Sequence, residues 1–216
     1  AILPGNPATL SGVLIDATGA SSPDDNLTVA TVGSLTASQA VSNDSAGTID
    51  LLATEDVFVD AAVTARGGAI TFNSDTDQAT TASGGIVVTA NVTSNGGNIT
   101  FGGGADPATM AAVATASTGD GVRIDSGVIN AGAGDISIRG TSDFDDGVDV
   151  RNGAVISTDS GAIAIIGSAS PGDGDGVQIQ NLNTRVTTST GSIAITGTSV
   201  LDNGVDIEGQ AVVSST

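Results

Sequence analysis

The stretch "DGVDVRNG" (residues 146–153) decides the fold, because the chain repeats it with variation: "DGVRIDSG" from Asp120, "DGVQIQNL" from Asp175 and "NGVDIEGQ" from Asn203. Aligned, these phrases put Val122, Val148, Val177 and Val205 in register, at intervals of 26, 29 and 28 residues. Each valine is followed two residues later by a second apolar residue: Ile124, Val150, Ile179 and Ile207. A second short run follows in each unit, "GVIN", "GAVIS", "TRVTT" and "AVVSS". A third follows in the first three, "GDISIRG", "GAIAIIG" and "GSIAITG". The unit is three short alternating strands separated by Gly- and Asp-rich turns.

Working back towards the N-terminus extends the pattern. "VFVDAAVTARGGAITF" (57–72) and "IVVTANVTSNGGNITF" (86–101) match at a period of 29 residues, and "LTASQAVSNDSAGTIDL" (35–51) is a shorter version at a spacing of 22. A fixed period of this size is the mark of a repeat architecture in which each unit buries its apolar face only against its neighbours. The expectation is an all-β chain folded as a parallel β-helix, a β-solenoid with three strands per coil. It has about seven coils of roughly 22–36 residues, beginning near Leu35, Val57, Ile86, Val122, Val148, Val177 and Val205. Residues 34–216 form the solenoid, and 1–33 an N-terminal cap or irregular first coil with "SGVLID" and "NLTVATV" as its strands. Alternation places Val122, Ile124, Val128, Ile136, Ile138 and their equivalents inside. An antiparallel sandwich is the alternative, but its strands would not recur in threes.

Composition agrees. Thirty-one glycines, with four phenylalanines as the only aromatics, leave little bulk for a wide core, whereas narrow stacked coils need little per layer. A net charge of −19, with five Arg and no Lys, excludes binding to nucleic acid or anionic lipid through clustered cations. No apolar run reaches a membrane span, and no basic-plus-apolar signal segment is visible, as expected of a mature secreted chain whose signal is gone.

The side-chain inventory also limits chemistry. Without His, Cys, Lys or Tyr, the usual bases, nucleophile partners and soft metal ligands are missing. A glycosidase could use two carboxylates, but would need a cleft with groups to hold sugar. A lyase would need a basic proton acceptor, for which Arg123 or Arg151 is the only candidate near Asp. The chain therefore reads as a non-enzyme.

Three features remain to be placed. The outward residues of the first strand read Arg123, Asp149, Gln178, Asp206 and then Asp125, Arg151, Gln180, Glu208. Stacking sets Arg123 beside Asp149 and Asp125 beside Arg151, pairs that would hold coil register. The corner residues Asp120, Asp146, Asp175 and Asn203 stack in a column. One reading is turn chemistry, in which Asp accepts a backbone N–H and Gly supplies a permissive φ. The other is a calcium site made by Asp120, Asp146 and Asp175, helped by Asp143, Asp145 and Asp173. The long loops 73–85 and 102–121 are the third feature. In the second of them Asp106 and Pro107 have the pattern of an N-cap and first residue of a short helix, which would cover Phe58 and Val87 or meet a partner.

The runs "GTIDLLATEDVFVDAAVTARGGAITF" (47–72), "GAIAIIGSAS" (161–170) and "GDGVQI" (174–179) resemble the repeat regions of filamentous-haemagglutinin-like proteins, the large β-solenoid exoproteins of Gram-negative bacteria. The resemblance implies a secreted protein of the bacterial cell surface that acts as stalk, adhesin or fibre, with host or matrix glycans as ligands of an adhesin. The repeat breaks off at "AVVSST", after the second strand of a coil. The expectation is a fragment of a longer chain, or subunits stacked head to tail with "AILPGNPATL" completing the coil of the next. The function expected is a structural β-solenoid building a fibre, stalk or surface layer. An adhesin module is the alternative, and a polysaccharide-active enzyme comes third.

Overall fold

A computed structural model describes residues 25–78, 84–170 and 174–216, together with the backbone of 8–10 and 14–15. The chain is all-β, and every described strand but one in an insertion pairs in parallel with its equivalent one coil away. The first strands of successive coils are β1 (Ala8–Leu10), β4 (Leu35–Ala37), β7 (Val57–Val59), β10 (Ile86–Val88), β14 (Val122–Asp125), β17 (Val148–Arg151), β20 (Val177–Ile179) and β23 (Val205–Ile207). The second sheet holds β2 (Leu14–Ile15), β5 (Val41–Asn43), β8 (Val63–Ala65), β11 (Val92–Thr93), β15 (Val128–Asn130), β18 (Val155–Thr158), β21 (Arg185–Thr188) and β24 (Val212–Ser215). The third holds β3 (Leu27–Thr31), β6 (Ile49–Ala53), β9 (Ile70–Ser74), β12 (Ile99–Gly103), β16 (Ile136–Ser142), β19 (Ile163–Ala169) and β22 (Ile193–Ser199).

This is the three-strand-per-coil solenoid, with coils opening at the positions read from the repeat. Parallel pairing throughout removes the antiparallel sandwich. The register is also as aligned: Ile86, Val122, Val148, Val177 and Val205 are successive partners, and so are Thr71, Thr100, Ser137, Ala164 and Ala194. β1, β2 and β3 pair with β4, β5 and β6, so strands precede Leu35 on all three sheets; residues 1–7, 11–13 and 16–24 lie outside the described ones.

The core is a set of ladders of like residues, because a parallel in-register stack sets each side chain on its own equivalent one strand away. Phe72 and Phe101 show the constraint most directly: their rings stack with centroids 4.8 Å apart and planes 9° off parallel, at the strand spacing itself. Inward residues such as Val122, Ile124, Val148 and Val150 are wholly buried.

One inward assignment is corrected. Val128 points out and is 36% exposed, while Ile129 is wholly buried. Ser126, at the corner between the two strands, has a left-handed φ of 60° and is followed by Gly127, which advances the chain by one residue before alternation resumes. The same shift holds in later coils, where Val128, Val155, Arg185 and Val212 form one outward column and Ile129, Ile156 and Val186 form the inward one.

The short helix expected after Asp106 is also corrected to a single turn. The Asp106 carboxylate accepts the Ala108 N–H at 3.1 Å and its carbonyl accepts those of Thr109 and Met110, but the chain then straightens into β13 (Ala112–Val113). β13 rejoins the third sheet beside Gly140 and Thr141 of β16. The insertion folds back on the glycine run that starts it: a Cβ on Gly102 would lie 2.1 Å from the Pro107 carbonyl oxygen.

Candidate functional site: the aspartate corner

The corner where the third strand of one coil passes into the first strand of the next carries the conspicuous carboxylates. Asp120, Asp146 and Asp175 stack there as aligned, and each carboxylate accepts the backbone N–H of its equivalent in the next coil. Asp120 Oδ1 takes Asp146 N–H at 3.1 Å, Asp146 Oδ1 takes Asp175 N–H at 2.7 Å, and Asp175 Oδ1 takes Asn203 N–H at 2.9 Å. Backbone bonds continue the ladder through the corner, from Gly121 N–H to the Asp146 carbonyl and from Gly147 N–H to that of Asp175. The turn reading therefore holds in altered form: the aspartate serves the coil after it rather than its own turn. Another corner, entering the third strand, uses the same device. There Asn98 Oδ1 accepts Asp135 N–H at 2.9 Å, and Asp135 Oδ1 accepts Ala162 N–H at 2.7 Å.

The glycine after each aspartate is present for closeness, not for φ. Gly121, Gly147, Gly176 and Gly204 are not among the positive-φ residues. A Cβ on Gly147 would meet Ser168 N at 2.3 Å, and one on Gly167, in the third strand, would meet the Gly176 carbonyl oxygen at 1.8 Å. First and third sheets touch backbone to backbone at this corner, so "DG" and the "G" of "IIGS" are halves of one contact.

Among the described residues, the carboxylates that converge are Asp120, Asp146 and Asp149, each offering an oxygen within 4.8 Å of the others. Asp149 stands in that group beside two of the three aspartates expected there; the third, Asp175, accepts the Asn203 N–H and the Gln178 side-chain amide. Of the proposed helpers, Asp145 acts on Asp120 and Asp146 through its charge, Asp143 lies exposed in the same loop, and Asp173 is outside the described residues. Alternation sends Asp149 outward, yet it is only 1% exposed, closed in by Asp120, Arg123, Arg151 and Gln180.

Two arginines hold this cluster, in a pairing that differs from the expected one. Arg123 stands opposite Asp149 in register but turns to its own corner, donating to the Thr118 carbonyl at 2.6 Å and to Asp120 Oδ2 at 3.2 Å. Arg151 spans both neighbours. Its Nε donates to Asp125 Oδ2 at 3.0 Å, the pair expected from the alignment, and its Nη1 lies 2.9 Å from Asp149 Oδ2. That second contact is off the hydrogen-bonding direction, so Asp149 Oδ2 is buried without a hydrogen bond.

The electrostatics follow. Burial pushes Asp146 up to about 7, helped by the charges of Asp145, Asp120 and Asp149 and opposed by the Asp175 N–H. Burial and the Asp120 charge push Asp149 to about 7 against the pull of Arg151. Asp120 is raised by burial and Asp145, with Arg123 opposing. At Asp125 burial would raise the carboxyl, but hydrogen bonds from Asn152 and Arg151 and the arginine charges hold it below the ordinary value.

Chemically, such a cluster can hold a proton or a hard cation. Its oxygens are largely engaged: Asp120 and Asp146 each commit one to a backbone N–H, and the guanidinium groups occupy one each of Asp120 and Asp149. All three carboxylates are buried, at 1–5% exposure.

Sequence reasoning missed a further buried carboxylate, Asp56, two coils earlier. It accepts Gly85 N–H at 3.0 Å and the Thr115 hydroxyl at 3.0 and 3.1 Å, so it anchors the 102–121 insertion to the body. The only sequence signal was its place before Val57, at the start of a coil. Comparison with known proteins gives no match to a family model, a curated protein or a solved structure.

Proposed function

We propose that this chain is a structural segment of an extracellular or bacterial cell-surface fibre, stalk or layer, a rod whose role is to extend and to stack. One observation supports it above others: the polar side chains of the corners are committed to holding coil on coil, through the Asp column and the Asn98–Asp135 column alike. Carboxylates engaged in this way and buried are not disposed for turnover. The adhesin alternative draws on the long insertion, but there Thr115 is bound to Asp56 and Arg139 donates to the Ala108 carbonyl at 2.6 Å, which ties the loop down.

End-to-end association of such rods is part of the proposal, since each coil presents a parallel edge on which another coil can stack in register. A further coil in matching register, from the same or another chain, satisfies that edge. Negative-stain imaging and light scattering over a concentration series test the proposal. Rods that lengthen with concentration at constant width are expected. Monomers at every concentration would overturn self-assembly.

A further inference from the structure

Three Asn–Gly pairs stand in the chain, at 95–96, 152–153 and 203–204. In such a pair no side chain on the second residue keeps its nitrogen from the asparagine amide carbon. The first two pairs lie at corners with paired coils on both sides, and the backbone dictates them. Asn95 and Asn152 have left-handed φ of 57° and 55°, and Gly96 and Gly153 follow at 120° and 80°. Asparagine is among the few side chains that tolerate the first conformation. A Cβ on Gly96 would meet nothing within 4 Å, and one on Gly153 nothing closer than 3.9 Å, so φ rather than space calls for glycine.

Both asparagines are exposed, so access to water does not distinguish them. The partner of the glycine N–H does. Gly96 N–H donates at 2.9 Å to the Ala131 carbonyl, inside a run of backbone bonds from Ser94 N–H to the Asn130 carbonyl and from Ala131 N–H to the Ser157 carbonyl. At the other corner, side chains of the next coil take both amides. Asn181 Oδ1 accepts Asn152 N–H at 3.2 Å, and Thr184 Oγ1 accepts Gly153 N–H at 3.0 Å. A side-chain acceptor is released by a rotamer change, whereas the Ala131 carbonyl moves only with its ladder.

We propose that Asn152 is a site of spontaneous deamidation, and that its conversion weakens the grip of its coil on the one before. Gly153 N bonds to Asn152 Cγ and gives up its proton to water, while the side-chain nitrogen gains a proton and leaves as ammonia. Water then opens the cyclic imide at either carbonyl, leaving aspartate or isoaspartate. In the unmodified chain Asn152 Nδ2 donates to Asp125 Oδ1 at 3.0 Å, and Arg151 Nε donates to Asp125 Oδ2 at 3.0 Å. The product sets a carboxylate where the amide donor was, so an attraction between coils becomes a repulsion. The inference goes beyond the fibre proposal and does not depend on it, because the contacts lie within one rod.

Incubation of the full chain at mildly alkaline pH, followed by peptide mapping with mass spectrometry, reads each asparagine separately. Asn152 is expected to convert at least about fivefold faster than Asn95, the effect of one hydrogen bond on a rate. Thr184→Val removes the acceptor hydroxyl and should speed Asn152 by a similar factor while leaving Asn95 unchanged. If its melting curve shows that this variant does not fold, the ratio of the two rates in the wild type decides alone. Asn152→Asp should melt below Asn152→Gly, and added salt should narrow the gap. Equal rates at the two asparagines, or a faster Asn95, would overturn the assignment, as would a folded Thr184→Val in which Asn152 converts no faster. Equal melting of Asn152→Asp and Asn152→Gly at low salt would overturn the weakened grip between coils.

Discussion

Replacing Asp146 with asparagine removes a carboxyl group that the fold has lifted from 3.8 to about 7, and keeps the oxygen that accepts Asp175 N–H. The chain already places an asparagine, Asn203, in this column. Because the folded state holds the Asp146 proton more tightly than the unfolded chain, stability is undiminished below the ordinary carboxylate range. It falls as pH rises from there to about 7, and is level above. At about 1.4 kcal/mol per unit, ionisation of Asp146 opposes folding by about 4 kcal/mol at most. Asp149, also near 7 and coupled to the same charges, shares that penalty rather than doubling it. Asp125, lowered instead, loses its contribution only at more acid pH and does not offset the trend. The wild type should lose stability between about pH 4 and about pH 7, and Asp146→Asn should recover about 2–3 kcal/mol of it at the alkaline end. In a chain of this length that is roughly 4–12 °C in Tm. Melting curves of both proteins across the pH range provide the assay. A wild-type Tm that is flat or rises with pH, or a variant no more stable than wild type at the alkaline end, would refute the account of a penalised buried charge.

Gly167→Ala should destabilise by about 3 kcal/mol or more, since its Cβ would sit 1.8 Å from a backbone oxygen, whereas Gly119→Ala, with φ of +73° and open space, should lose about 1–2 kcal/mol in denaturant titrations. Arg151→Met leaves Asp149 buried without its cation; the loss should be about 3 kcal/mol at alkaline pH and shrink as Asp149 takes up a proton, so a loss that ignores pH would count against the pairing. Thr115→Val should release the insertion from Asp56, reducing stability by about 1–2 kcal/mol and raising hydrogen exchange across 104–121 more than elsewhere. Calcium should leave the melting midpoint where a chelator leaves it, because protons and arginines neutralise the cluster; a midpoint that climbs with calcium concentration would make Asp120, Asp146 and Asp149 a cation site.

Much of the site was legible and part of it was not. The Asp column and the Asp125–Arg151 pair came from alignment alone, because in-register stacking turns a sequence repeat directly into a spatial column. The shift that turns Val128 outward was also written in the repeat, in the Arg185 that shares its column. The convergence of Asp149 with Asp120 and Asp146 was not legible, since alternation says only that Asp149 faces away from the core.

The repeat determines fold class, coil boundaries and strand register, because alternation at a fixed period allows one stacking in which every coil buries its apolar face. Tertiary structure decides what the outward and corner residues do. Asp149 is buried by Arg151 and Gln180 from its own and the next coil; Asp56 meets a hydroxyl supplied 59 residues along the chain; and the glycines of "DGV" are required by a strand of the neighbouring sheet. Those outcomes depend on distances between coils and sheets, and such distances exist only once the coils have stacked.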